Sequence, residues 1–277
     1  MTPQEKIGAL MKAEQSRFSG SLGLVFQEAD GPFAYRQEAD REYSTASVIK
    51  LFILAALLRR CERGQSSLEE RLSARNPEGV SGTGVLKALL HPETLSAGNM
   101  AVLMIIQSDN VATNALIDYM GLDGIAGELR GMGLEKTVLN RRLTANAGRD
   151  SVPLGISTPA ETAGFLCDAV KGRCFGPEHT RFFLDTLGRQ QHLDLFVRHM
   201  PLTAYTGKEE EGFVKAACKT GAVLGVRNDA GYLFYGGKTY IYAAYTKGCK
   251  DLAFSVDNEA ALFLARTGRI FFEHAMM

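Results

Sequence analysis

Eight consecutive apolar residues, Leu51 to Leu58 (LFILAALL), constrain this chain more than any other stretch. The run is far shorter than the roughly 20 residues needed to cross a bilayer, so it belongs to a protein core. A segment apolar on every side must be enclosed on every side, which makes it a central helix. Just before it stand Ser47 and Lys50, three residues apart and therefore on one helical face. The 277 residues suffice to wrap such a helix in one or two globular units.

The flanking segments fall into two patterns. Spacing predicts a helix over residues 3–16, then two short strands within SLGLVFQEADGPFAYRQEA, joined at Asp30-Gly31. From Ala46 to Arg198 apolar residues recur at helical spacing. Helices are expected at 47–63, 96–107, 110–119, 158–170 and 178–188, in a middle that is nearly all helix. After residue 212 strands return as FVKAACKTG, AGYLFY and TYIYAAYT, with Gly236-Gly237 suited to a tight hairpin turn. The last segment sets Ala260, Phe263, Leu264, Ile270 and Phe271 on one helical face. Both chain ends thus build one α/β lobe, residues 1–45 and 200–277. An all-helical lobe, residues 46–199, is inserted into it, and the cleft between the lobes is the expected site of chemistry.

Charge and composition remove several function classes. Lysine plus arginine balance aspartate plus glutamate at 31 each, so no global field gathers nucleic acid or anionic lipid, and neither is expected as a partner. The five cysteines (Cys61, Cys167, Cys174, Cys218 and Cys249) contain no C-x-x-C pair, which weighs against a disulfide framework or zinc site. The histidines (His91, His179, His192, His199 and His274) lack H-E-x-x-H spacing and read as surface or loop residues, with no metal expected. G-x-S-x-G and a phosphate-binding glycine loop are both missing, and Gly82 and Gly84 in SGTGVLK read as a loop. The N-terminus shows no secretory signal. A cytoplasmic address is expected as the chain stands, or a periplasmic or secreted one if a signal was trimmed.

Three short motifs carry the chemistry. In Ser47-Val48-Ile49-Lys50, Ser47 falls in a first helical turn that favours developing negative charge. Lys50 can act as a base only after losing its proton, and burial beside a second cation lowers an amine's pKa. The plain alternative is a helix cap with a snorkelling lysine. Ser108-Asp109-Asn110 interrupts two helical stretches, where capping is again the plain alternative. Lys219-Thr220-Gly221 ends a strand, and its glycine leaves room for another backbone to approach.

Together, in the order S-x-x-K, S-D-N, K-T-G, the motifs resemble those of class A β-lactamases and penicillin-binding proteins. The gaps of 61 and 111 residues resemble class A spacing. So do STASVIKLFILAALLRRCERGQSSLEERL, SAGNMAVLMIIQSDNVATNALIDYMG and ISTPAETAGFL, so the likeness runs through nearly the whole chain. The resemblance implies an α/β (α+β) fold: a five-stranded antiparallel sheet flanked by N- and C-terminal helices, plus an inserted helical lobe. It implies a monomer acting on a small molecule without a cofactor. Ser47 would attack a carbonyl, Lys50 would take its proton, and Ser108 would relay a proton to the leaving nitrogen beside Lys219. The backbone N–H groups of Ser47 and Ala222 would hold the oxyanion. Asn110 would bind the substrate's amide side chain, and Thr220, with Gly221 beside it, the substrate's carboxylate. Arg227 is open to two roles, a second carboxylate partner or an ion pair with Asp229 or another acid.

One departure stands out. Class A enzymes carry an Ω-loop glutamate that activates the deacylating water, yet near Leu143 and Thr144 there is no carboxylate. Asp150, the one acid of the stretch, is expected to close the loop against Arg141 or Arg142. Three readings remain open: a β-lactam hydrolase, a relative acting on another ester, amide or short peptide, and a penicillin-binding or sensing protein that stays acylated.

Overall fold

The computed structural model describes residues 2–90, 93–145, 152–203 and 212–277. Helix α1 (Pro3–Gln15) begins with a capping box: Thr2 accepts from the Glu5 N–H, and the Glu5 carboxylate accepts from the Thr2 N–H. Strands β1 (Ser21–Glu28) and β2 (Ala34–Gln37) form the expected hairpin. The short β3 (Tyr43–Ser44) leads through a 3₁₀ turn (Ala46–Ile49) into helix α2 (Lys50–Glu62). Residues Leu51 to Leu58 are all buried, as an all-apolar helix requires.

The inserted region continues with β4 (Arg71–Ser73), β5 (Thr94–Ser96), α3 (Ala97–Ile106), α4 (Asn110–Met120) and α5 (Leu122–Gly131). It ends with β6 (Val138–Leu139), β7 (Gly155–Ser157), α6 (Pro159–Val170) and α7 (Pro177–Gly188). It is therefore not all helix: β4 pairs with β5, and β7 lies between β3 and β6. Strands of two or three residues are too short to carry a period, which is why they escape a pattern reading. Helix α5 was likewise not expected. Its sequence LDGIAGELRG holds three glycines, residues that weaken helix propensity. Packing overrides this, with Ile125 and Leu129 buried and the Glu128 carboxylate held by Arg59 and Arg63 at 3.2 and 2.8 Å.

Strands β8 (Lys215–Val223), β9 (Val226–Tyr235) and β10 (Lys238–Lys247) form the meander, and helix α8 (Glu259–Phe271) closes the chain. The Gly236-Gly237 turn has both residues at positive φ, 56° and 76°, as a two-residue hairpin of the primed type needs. Strand β9 starts four residues before the expected AGYLFY, because Arg227, Asn228 and Asp229 are ladder residues despite their polarity. The five antiparallel strands run in the order β2-β1-β10-β9-β8. Pairing of β1 with β10 joins the two ends of the chain, and β8 is left as an edge.

The sheet separates two cores. One face packs on α1 and α8 through Ile7, Met11, Phe26, Phe263 and Phe271. Ile270, expected in that set, is only partly buried. The other face packs on α6 and the α2 region. The segment holding Leu193, Leu195, Phe196 and Val197 inserts into the α1/α8 core, and Phe196 N–H donates to Asp229 on β9.

Candidate active site

The turn carrying Ser47 is forced into its shape by its neighbours. Ala46 takes a left-handed φ of 46°, a conformation rare for residues with a Cβ. The Asn228 side chain holds the Ser44 carbonyl at 2.7 Å, and the Thr45 N–H donates to Gly155 O at 3.0 Å. Gly221 explains how closely β8 lies against this turn. A Cβ there would stand 2.7 Å from Thr45 O and 2.9 Å from Ser47 N. The glycine of the third motif is thus needed because two backbones touch.

Lys50 is fully buried. Its Nζ donates to Ser108 O at 2.8 Å, Ser108 Oγ at 3.1 Å and Asn110 Oδ1 at 2.8 Å. Burial, reinforced by the charge of Lys219 and opposed by Asp109, holds its pKa well below the ordinary lysine value. Ser108 sits between α3 and α4 at φ 50°, and its carbonyl also accepts from Thr83 Oγ1 at 2.7 Å. Asp109 caps α4 by accepting from Val111 and Ala112 N–H, while its second oxygen accepts from Val85 and Leu86 N–H at 2.7 and 2.9 Å. The acid of the second motif is therefore a four-donor staple. Asn110 stands behind the cleft wall, its Nδ2 donating to Ser81 O at 2.8 Å.

Lys219 is also fully buried; its ammonium donates to Thr220 O at 2.8 Å, and burial lowers its pKa to about 8. Arg227 does not pair with Asp229. Its guanidinium donates to the Val223 and Val226 carbonyls at 2.9 and 2.8 Å and to Ala253 O, and lies 4.6 Å from the Phe254 ring centroid. Asp229 instead accepts from Phe196 N–H and Tyr242 O–H, both at 3.0 Å, and burial raises its pKa to about 7.

Ser47, Ser108, Thr220, Ala222 and Arg227 all line one cleft of about 170 Å³. Lys50, Asn110, Lys219 and Gly221 form its supporting layer. A larger cavity of about 350 Å³ between α4 and β4 holds none of the three motifs. The cleft is the stronger candidate because the reactive groups converge there.

The loop that follows β6 carries Leu143, with no carboxylate at that position. Asn114 clamps that residue's backbone, accepting from its N–H and donating to its carbonyl, both at 2.9 Å. Asn114 was missed in the sequence, although its place one turn after Asn110 on α4 was a usable signal. His192 lies in a loop, as expected, but it also lines the cleft, a place for which the sequence carries no sign. Asp150 lies outside the described residues. Arg142 bonds Glu78 and Asp118 at 3.1 and 2.8 Å, and Arg141 donates to the Val152 carbonyl. No helix among the described residues is long and apolar enough to cross a membrane.

A five-stranded antiparallel sheet, helices on both its faces and an S-x-x-K turn packed on its edge strand define the β-lactamase/transpeptidase-like class of proteins. Within that class, the chain belongs to the β-lactamase enzyme family, whose profile matches residues 2–275. It is similar to β-lactamase AER-1 of Aeromonas hydrophila, 25% identical over 138 residues, which span 50% of this chain and 45% of that protein. Its structure resembles that of a β-lactamase from Sphaerobacter thermophilus, with a TM-score of 0.83 and 26% identity over 99% of this chain and 98% of that one. It also resembles PBP-A, with a TM-score of 0.79 and 25% identity over 96% and 95% of the two chains.

Proposed function

We propose that this chain is a serine hydrolase of the class A β-lactamase type, which opens β-lactam or related amide bonds through an acyl-enzyme on Ser47. The observation that carries the reading is Lys50: a dehydrated amine with a lowered pKa, bonded to Ser108, three residues from Ser47. Lys50 takes the Ser47 hydroxyl proton as Oγ bonds the carbonyl carbon. The Ser47 and Ala222 N–H groups hold the oxyanion. The C–N bond then breaks, Ser108 passes a proton to the departing nitrogen, and the Lys219 charge steadies that relay. Asn110, expected to bind the substrate's amide side chain, instead positions Lys50, its amide held on both sides by Lys50 and Ser81, while Thr220 and Arg227 receive the substrate's carboxylate, for which a planar guanidinium is suited.

Deacylation is the slow step, because the loop position held by Asn114 carries Leu143 and supplies no base. The same observation favours a second reading, a penicillin-binding protein that stays acylated. Intact-protein mass spectrometry with benzylpenicillin tests both. A Ser47-dependent adduct that decays with release of opened product is expected, and Ser47→Ala should form none. A lasting adduct without product would favour the second reading, and neither adduct nor product would overturn the first.

A further inference from the structure

We propose that His192 is a specificity-determining residue of the cleft, reading the anionic end of the ligand and gripping a carboxylate more tightly once its imidazole carries a proton. The proposal rests on the reading that this cleft takes a carboxylate-bearing acyl donor.

The residue's position is built. The buried side chain of Gln190 ties three elements together: its Nε2 donates to Ile105 O on α3 at 3.2 Å and to Cys218 O on β8 at 2.9 Å. Its Oε1 accepts from the His192 N–H at 3.0 Å. His192 is thereby pinned between the end of α3 and the residue preceding Lys219, and it shares the cleft wall with Ser108, Thr220 and Arg227. Its Nε2 is buried and has no hydrogen-bond partner among the described residues.

The electrostatics follow from the neighbours. Lys219 on β8 and Asp194 in its own segment act on the ring, Arg227 faces the same cleft from β9, and Arg198 lines the adjoining recess. Burial first and the Lys219 charge second hold the imidazole below its ordinary range, against the opposing pull of Asp194 and a hydrogen bond to the Gln107 backbone. The neutral ring adds no charge to the cleft. A protonated ring adds a cation beside Lys219 and Arg227, which favours an anionic ligand there. By linkage, the carboxylate must in turn raise the His192 pKa.

The test uses Ser47→Ala, which binds without acylation, and benzylpenicillin as the probe. Affinity should tighten about three-fold between about pH 7.5 and about pH 5.5 and approach about five-fold at lower pH, within the range typical of coupled sites. Added His192→Gln should remove that change. In ¹³C-histidine NMR the His192 pKa should rise by about 0.7 on binding, the same five-fold factor seen from the proton's side. An affinity that is flat with pH, a pH dependence that survives His192→Gln, or no binding at either pH would each overturn the proposal. A Ser47 adduct on the wild-type chain without pH-dependent affinity sinks this inference alone. PH-dependent affinity with no adduct on the wild-type chain sinks the acyl-enzyme reading alone.

Discussion

Replacing Gly221 by alanine tests the contact on which the cleft rests. The added Cβ would stand 2.7 Å from Thr45 O, 2.9 Å from Ser47 N and 3.1 Å from Val48 N. All three are backbone atoms of the tight turn, so no flexible side chain can yield. Ordinary contact begins at 3.4 Å, and strand β8 and the turn must part by about 0.7 Å to regain it. Overpacking of this kind costs roughly 1–3 kcal/mol, and each kcal/mol lowers Tm by about 2–4 °C in a chain of this size. The effect on reaction is larger. The proposed oxyanion donors, Ser47 N–H and Ala222 N–H, lie on the two backbones that separate. A misplacement near 1 Å costs about 10²-fold in rate, and loss of one such donor about 10²–10³-fold. The assay pairs thermal unfolding with the second-order rate of Ser47 acylation by benzylpenicillin, followed by intact mass. Gly221→Ala should fold, melt several degrees lower and acylate at least about 10²-fold more slowly. A variant that melts and acylates like wild type would refute the argument that this glycine exists to let two backbones meet.

Two further outcomes are expected. Lys219 has a folded pKa of about 8 against 10.5 for an unperturbed lysine, so between those values the unfolded chain binds more protons. Stability should therefore rise with pH across that window, with Lys219 contributing on the order of 3 kcal/mol; Lys219→Met should lose that contribution and keep the one from Lys50 when urea midpoints are compared below pH 8 and near 10.5. Leu143→Glu sets a carboxylate on a backbone already clamped by Asn114. It should shorten the lifetime of the Ser47 adduct by about 10²–10⁴-fold, the usual contribution of a positioned general base, whereas Leu143→Gln should not; equal lifetimes in both variants would contradict it.

Much of the fold was legible because its signals are local. The LFILAALL run, the alternation in the terminal strands and the helical spacing of the middle each follow from a period that neighbouring residues carry. Helix α5 escaped because its glycines mask the period, and β9 begins before AGYLFY because the polar Arg227, Asn228 and Asp229 carry no apolar alternation and are held in the ladder by partners. Their side-chain partners are the Val223 carbonyl, Ser44 O and the Tyr242 hydroxyl, of which only Val223 is near in sequence.

The sequence by itself determined the residue types of the three motifs, the shared helical face of Ser47 and Lys50, and the lack of a carboxylate near Leu143. Tertiary structure alone decided that β8 lies against the Ser47 turn, that Lys219, 169 positions further along the chain, lowers the hold of Lys50 on its proton, and that Arg227 rests on carbonyls rather than on Asp229. It also brought His192 into the cleft and Asn114 onto Leu143. The physical reason is that periodicity and capping are read from adjacent residues, whereas electrostatic coupling and backbone contact depend on distances through space. Those distances exist only once the sheet has closed β1 onto β10 and laid its edge strand against the Ser47 turn.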